Sequence, residues 1–202
     1  MVPDPKKARP LLATHLVWGC YGFWLPNDPR GSWSRYVGCR KLHELAGSAT
    51  TVNTRRSLAK DAHDRGLQQR AKETLPRPPI RLTGVQALEV ARGFARAVEE
   101  AGFVLHACAL LPDHVHVVVA PHAKRARQIV GHLKSRASRQ LRDAGHTFGG
   151  RPWVKYGWAV YLFDDAAVRR AIRYVEQNPV KDGLRRQHWT FVRPYEPDDS
   201  HR

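Results

Sequence analysis

Residues 110–119 read Leu-Leu-Pro-Asp-His-Val-His-Val-Val-Val, and the conformation of this run decides the architecture around it. Three consecutive valines behind a Pro-Asp turn favour a buried strand, because β-branched side chains suit a pleated backbone and proline followed by aspartate starts a turn. Alternate side chains of a strand share a face, so His114 and His116 stand side by side, about 6.6 Å apart along the strand. That spacing suits chelation of one metal ion. A lone histidine there is ordinarily a satisfied core or edge residue, whereas a His-x-His pair makes a metal site an equal contender.

Working outward, residues 103–110 are also strand-like, and the short Leu-Pro-Asp connection predicts an antiparallel hairpin. Pairing Leu110 with His114 would set Cys108 opposite His116. Before this hairpin, Thr83 and Gln86 form a capping box, and Leu88, Ala91, Ala95 and Val98 repeat at helical spacing until Gly102. Beyond it, residues 124–142 predict a second helix with a buried stripe of Ala126, Ile129, Val130, Leu133, Ala137 and Leu141. After Gly149-Gly150, residues 153–163 read as a strand in which Tyr156, Trp158, Val160 and Leu162 alternate. Asp164 or Asp165 caps a last helix striped by Val168, Ala171, Ile172 and Val175; Pro179 limits it, with Asn178 at or just past its end.

Residues 14–24 supply the first strand, running into the turn Pro26-Asn27-Asp28-Pro29. From there to about residue 80 the pattern dissolves, with Gly31, Gly38, Gly47 and Gly66 and a proline-rich exit at Pro76, Pro78 and Pro79. We read 28–80 as an insert between first strand and first helix; a thin stripe of Leu58, Ala62, Ala71 and Leu75 suggests a short helix in it. The order strand, helix, strand, strand, helix, strand, helix predicts one α+β domain over 1–202. It is a ferredoxin-like split β-α-β fold, with a four-stranded antiparallel sheet, packed helices and an extra C-terminal helix.

Composition narrows the function. Lys and Arg total 34 against 18 Asp and Glu, a net charge of +16, which implies a polyanionic partner. Lys124, Arg125, Arg127, Lys134, Arg136, Arg139, Arg142 and Arg151 crowd 121–151 against the single acid Asp143, so this is a basic face. No apolar run approaches a spanning helix and no signal-peptide plan opens the chain, so no membrane is expected and a cytoplasmic location is. Cys20, Cys39 and Cys108 form no Cys-x-x-Cys pair, which argues against a disulfide framework or a zinc knuckle.

On the last helix, Tyr174 lies at the margin of the apolar stripe; Asn178 follows about 40° round from it on the same edge, while Gln177 is rotated about 60° the other way. Three segments in this order, His114-Val115-His116, Gly131-His132-Leu133-Lys134-Ser135-Arg136 and Tyr174-Val175-Glu176-Gln177-Asn178-Pro179-Val180-Lys181-Asp182-Gly183-Leu184, resemble the single-tyrosine HUH transposases. That family of insertion-sequence transposases acts on single-stranded DNA and includes the REP-associated tyrosine transposases. The resemblance covers about residues 11–25 and 83–185, omitting most of the insert.

It implies a DNA endonuclease and strand-transferase working through a 5′-phosphotyrosine on Tyr174, with Mg²⁺ or Mn²⁺ held by His114, His116 and a polar residue one helical turn past the tyrosine. That residue is often Gln in the family; here Asn178 stands in its place, with Gln177 as the alternative. Lys134, Arg136, Arg139 and Arg127 would hold DNA backbone, aromatic residues such as Trp18 or Trp158 would stack on unpaired bases, and the substrate would carry a small hairpin. The resemblance leaves open whether the active site is built in one chain or shared across a homodimer. The competing class is a noncatalytic nucleic-acid-binding protein, a domesticated relative, since RNA-recognition domains share this sheet; those need aromatic residues where His114 and His116 stand. Histidine-triad hydrolases want a third alternating histidine, where this chain has Val118. Two-histidine phosphoesterases want two separated His-x-Ser/Thr motifs, which are absent, and Cys108 has no orienting partner for a Cys-His hydrolase.

Overall fold

The computed structural model describes residues 9–23, 25, 28, 39–48 and 64–197. Strands β1 (Ala13–Gly19), β2 (Leu105–Leu110), β3 (His114–Val119) and β4 (Trp158–Leu162) pair antiparallel in the order β2-β3-β1-β4. Helices α1 (Arg40–Ala46) and α2 (Arg65–Glu73) precede α3 (Gly84–Ala101), α4 (Ala126–Asp143) joins β3 to β4, and α5 (Asp165–Lys181) ends the regular structure. This is the ferredoxin-like α+β plan, with β3 in the middle of the sheet.

Alternation along β3 divides the core. Val115, Val117 and Val119 point with Leu16 and Trp18 into the layer beneath α3 and α4, where Phe94, Leu133 and Leu141 meet them. Val118 points the other way, toward α5, where it joins Ala107, Ala109, Leu162, Val168 and Val175. His114 and His116 alternate with the valines of the first set and so lie on the α5 face. Thr83 caps α3 with the reciprocal Gln86 contact, Gly102 ends it in the left-handed region at φ 67°, and the predicted stripe of α4 is buried from Ile129 to Leu141.

Several elements depart from the sequence reading. β1 stops at Gly19 and only Cys20 bridges onward, to Trp153; Trp24, Pro26, Asn27 and Pro29, like Leu58 and Ala62, lie outside the described residues. In the insert, the sequence gives no sign of α1, which buries one residue, Leu42, whereas α2, burying only Ala71, falls within the stretch where a short helix is expected. The face that α3 buries is Val90, Ala91, Phe94 and Ala97, leaving Leu88 exposed. The contact line runs through Gly93, where an added Cβ would lie 2.7 Å from Ala137 Cα, and this turns the helix.

The hairpin register is shifted by one from the expected pairing: Leu110 pairs with Val115, Ala109 with His116 and Cys108 with Val117. The cause is Leu111, whose N–H donates to the His114 carbonyl at 2.9 Å and takes the closing position, so Cys108 faces away from His116. β4 starts only at Trp158, because Gly157 packs so closely on β1 that a Cβ would come within 2.8 Å of the Val17 carbonyl. Pro179 does not end α5. It sits inside the last turn, where a missing N–H removes one ladder bond, and the helix stops two residues past it in a Schellman turn: Leu184 N–H donates to Pro179 O and Gly183, at φ 74°, to Val180 O.

The chain then doubles back along β2. The Gln187 amide bonds both the N–H and the carbonyl of Leu110 at 2.8 Å, Arg193 N–H donates to Leu105 O at 2.8 Å, and Tyr195 Oη donates to Asp165 at 2.5 Å. The tail thereby meets both ends of the outer edge of β2, and Tyr195 ties the start of α5.

Candidate active site

The loop before β3 is pinned on several sides: Cys20 N–H donates to Asp113 O at 2.7 Å and Leu82 N–H to Pro112 O at 2.7 Å. This holds the Asp113 carboxylate 2.6 Å from His114 Nδ1. A carboxylate only accepts, so Nδ1 of His114 carries a proton directed at Asp113. Opposite His114 on β1 is Gly19, which contributes no side chain to crowd it. The His114 and His116 rings are 4.8 Å apart at 76°, as the alternating pair requires.

A third imidazole joins them. On β1, Val17 pairs with His116 and His15 with Val118, so His15 is the diagonal neighbour of His116, within reach of a ring. Its Nε2 lies 3.1 Å from His116 Nδ1 and the two rings stack at 5.3 Å. Burial lowers the His15 pKa to about 4. Burial, followed by the charges of His114 and His15, lowers that of His116 well below the usual value, so both stay neutral and keep a lone pair.

α5 lies across β2 and β3 and brings Tyr174 to this cluster: its ring is 5.5 Å from His116 and 5.9 Å from His15, edge-on to both. Tyr174 is 39% exposed, which leaves a phenol accessible from solvent beside neutral imidazoles. The Lys181 ammonium, two turns on, sits 5.3 Å from the Tyr174 ring. One turn past the tyrosine, Asn178 is buried at 9% exposure and its Nδ2 has no hydrogen-bond partner, while Gln177 is exposed. Amide orientation is assigned from hydrogen bonding; turned over, Asn178 sets its carbonyl oxygen in that unpaired position. Among the described residues no three His, Cys, Asp or Glu side chains are grouped to hold a metal ion. Two strand imidazoles beside the phenol, and a buried amide with no hydrogen-bond partner one turn past it, are donors of the kind a divalent cation takes.

The basic residues are on the other side of the sheet. α4 and residues 151–155 bound a groove of about 750 Å³ lined by Lys134, Arg136, Arg139, Arg142, Arg151 and Lys155. Arg136 is paired with Glu100 at 2.6 Å, and Lys134 donates to the carbonyls of Val154 at 2.9 Å and Tyr156 at 3.2 Å; burial lowers the Lys134 pKa to about 8. Arg127 is exposed and does not line the groove. Trp18 is fully buried against Phe94 and is no stacking surface. Trp158 is half-buried and pairs across from Val17, which pairs across from His116, so the three form one row on the α5 face. Burial raises the Cys108 thiol and sets Cys20 at about 12, so both are inert neutral thiols.

The structure brings together His114, His116 and Tyr174, and sets His15, Asp113 and Lys181 beside them, which the sequence did not single out. The signals were faint. His15 shares a strand face with Ala13 and Val17, but nothing local says which strand lies beside it. Asp113 reads as a turn residue and Lys181 as a helix-end cation.

No curated protein matches the chain. Among solved structures, a REP-associated tyrosine transposase bound to a REP hairpin is similar at 13% identity and TM-score 0.48, over 94% of this chain and 81% of that one. A Deinococcus radiodurans R1 protein described as a transposase is similar at 14% identity and TM-score 0.38, over 87% of this chain and 97% of that one. Among the described residues no helix is long and apolar enough to cross a membrane. The model of the IS200-like transposase family matches residues 77–178, which take in α3, the His pair and α5 as far as Asn178; the chain belongs to that family.

Proposed function

We propose that this transposase cleaves and rejoins single-stranded DNA through a covalent bond to Tyr174, with Mg²⁺ or Mn²⁺ held by His114, His116 and Asn178, on a substrate that carries a hairpin. The observation that carries the reading is the packing of the Tyr174 ring 5.5 Å from His116, in a cluster whose two strand histidines both turn Nδ1 to a partner. When bound, the cation neutralises charge on the phosphate oxygens. The phenol oxygen of Tyr174 attacks phosphorus, the bond from phosphorus to the 3′ oxygen breaks, and the proton the phenol gives up is balanced by one taken by the departing 3′ oxygen. A 5′-phosphotyrosine and a free 3′-hydroxyl result. Attack by another 3′-hydroxyl restores the phenol and joins strands without ATP, since the ester keeps the energy of the bond it replaced.

Lys181 adds a positive charge beside the attacking phenol. Gln177 is exposed whereas Asn178 is buried, so Asn178 is the ligand in this reading. On the opposite side of the sheet, Arg139, Arg142 and Arg151 with Lys134 and Arg136 would hold the backbone of a hairpin stem, and Trp158 would stack on an unpaired base next to the scissile phosphate. Arg127 would add a peripheral phosphate contact. The test incubates the protein with hairpin-containing single-stranded DNA and Mn²⁺ and looks for a DNA-linked band that survives denaturation. Wild type forms it and Tyr174→Phe does not; a band undiminished in Tyr174→Phe removes this nucleophile, and none in wild type leaves a noncatalytic DNA-binding relative. Light scattering in the same buffer distinguishes a monomer from a homodimer.

A further inference from the structure

We infer that His15 is a positioning residue that fixes which nitrogen of His116 faces the cation. The inference deepens the proposed metal site and rests on it. An imidazole binds a cation only through a bare nitrogen, and the contact between His15 Nε2 and His116 Nδ1 at 3.1 Å needs one N–H and one lone pair. If His15 donates, the single proton of His116 is left on Nε2, and that nitrogen cannot bind a cation. If His15 accepts, His116 is protonated on Nδ1 and offers Nε2. Only the second arrangement makes His116 a ligand, and it copies what Asp113 does for His114 at 2.6 Å. Both strand histidines are then oriented through Nδ1, one by a carboxylate and one by an imidazole lone pair, the arrangement by which outer partners fix a ligating ring.

Two other roles for His15 fit less well. As a third ligand it would have to use Nδ1, since Nε2 faces His116; its proton would then sit on Nε2 and be donated to His116, leaving that ring protonated on its own Nε2 and unable to bind. As a proton acceptor for Tyr174 it would need a nitrogen toward the phenol, yet the rings meet edge-on at 5.9 Å while Nε2 is engaged. Plain packing does not account for rings stacked at 22° with two nitrogens in hydrogen-bond contact. The ring edge also gives Tyr174 a wall, so His15 orders the phenol and the ligand together.

Two measurements test this. In metal-free ¹⁵N-labelled wild type, imidazole ¹⁵N–¹H correlation spectra should show His116 protonated on Nδ1; a proton on Nε2 overturns the inference. Calorimetric titration with Mn²⁺ should find binding weakened 10–100-fold in His15→Phe, the range for removing an outer partner, and restored to within about threefold in His15→Gln, whose amide oxygen keeps an acceptor at the same reach. Equal Mn²⁺ affinity in wild type and His15→Phe, or a Gln variant as weak as Phe, overturns it too. Wild type that binds no Mn²⁺ removes the metal reading itself, and the His116 tautomer then decides the role of His15 alone. The spectra need no variant to fold.

Discussion

Glycine to alanine at two positions of the same helix pair should change stability in opposite directions. Gly93 of α3 faces α4, and an alanine Cβ there would meet Ala137 Cα at 2.7 Å, Ala137 N at 2.8 Å and Arg136 O at 2.8 Å. Ordinary carbon contacts lie at about 3.5–4.0 Å, and backbone atoms cannot rotate away, so the helices must part by several tenths of an ångström or more. Overpacking of this kind costs about 1–3 kcal/mol, and the upper end applies where all three neighbours are main chain. Alanine gains about 1 kcal/mol over glycine in a helix, leaving a net loss near 2 kcal/mol. Gly131 of α4 has nothing within 4 Å of the same added atom, so it keeps the whole gain. For a domain of this size each kcal/mol moves Tm by about 2–4 °C, giving a fall of about 4–8 °C for Gly93→Ala and a rise of about 2–4 °C for Gly131→Ala. Calorimetry on the metal-free proteins measures both. A Gly93→Ala protein as stable as Gly131→Ala would refute the close α3–α4 approach that sets the buried face of α3 and seats the basic groove.

Three further outcomes follow from the same geometry. Arg139→Ala should weaken binding of a DNA hairpin stem and lower the salt dependence by about one unit of log–log slope if it meets one phosphate; an unchanged slope in a fluorescence titration from 50 to 200 mM salt removes it from the contact. Trp158→Ala should weaken binding of a hairpin with a single-stranded tail by about 1–3 kcal/mol and leave a blunt hairpin unaffected, whereas equal losses on both would place its effect in the fold. For pH, the His15 pKa is near 6.5 unfolded and about 4 folded, so the unfolded chain binds the extra proton first; its contribution is complete above 6.5 and is lost as pH falls through 4. The wild type should therefore lose stability from pH 6.5 to 4 more steeply than His15→Gln, by at most about 1.4 kcal/mol per pH unit, and parallel urea-unfolding curves for the two would contradict the burial of that ring.

Local chemistry explains which parts were legible. The capping box at Thr83, the valine run of β3 and the stripe of α4 are each decided within a few residues, and each was found in place. What was misread depends on a neighbour that the pattern does not name. The hairpin register turned on whether Leu110 or Leu111 closes the loop, one residue either way, and that choice moved Cys108 to the other face. Pro179 looked like a stop because the residue before proline avoids the helical region, yet near a helix end that preference is outweighed by the Schellman turn at Gly183 and by packing of Val175 and Pro179. In the site, spacing sufficed to set His114 beside His116, whereas His15 comes from a strand about 100 residues away and is paired by register alone.

The sheet also separates the groove cations from the imidazoles. The groove cations belong to the α4 side and the three imidazoles to the α5 side, with two packed layers between them, each on the order of 10 Å thick. The Debye length at physiological ionic strength is about 8 Å, so groups facing solvent on opposite sides scarcely feel one another. Guanidinium groups placed beside His116 would repel a divalent cation and compete with it for the same phosphate oxygens. Held on the far side, they can raise affinity for DNA without lowering affinity for metal. The β2 edge is met by the returning tail, so on the proposed function a strand held in the groove would reach Tyr174 around the opposite edge, over β4 and past Trp158. On the proposed function, removing groove charge should therefore leave Mn²⁺ binding untouched, and removing His116 should leave hairpin binding untouched. Coupling between the two would mean that both sites share one face, against the alternation of β3.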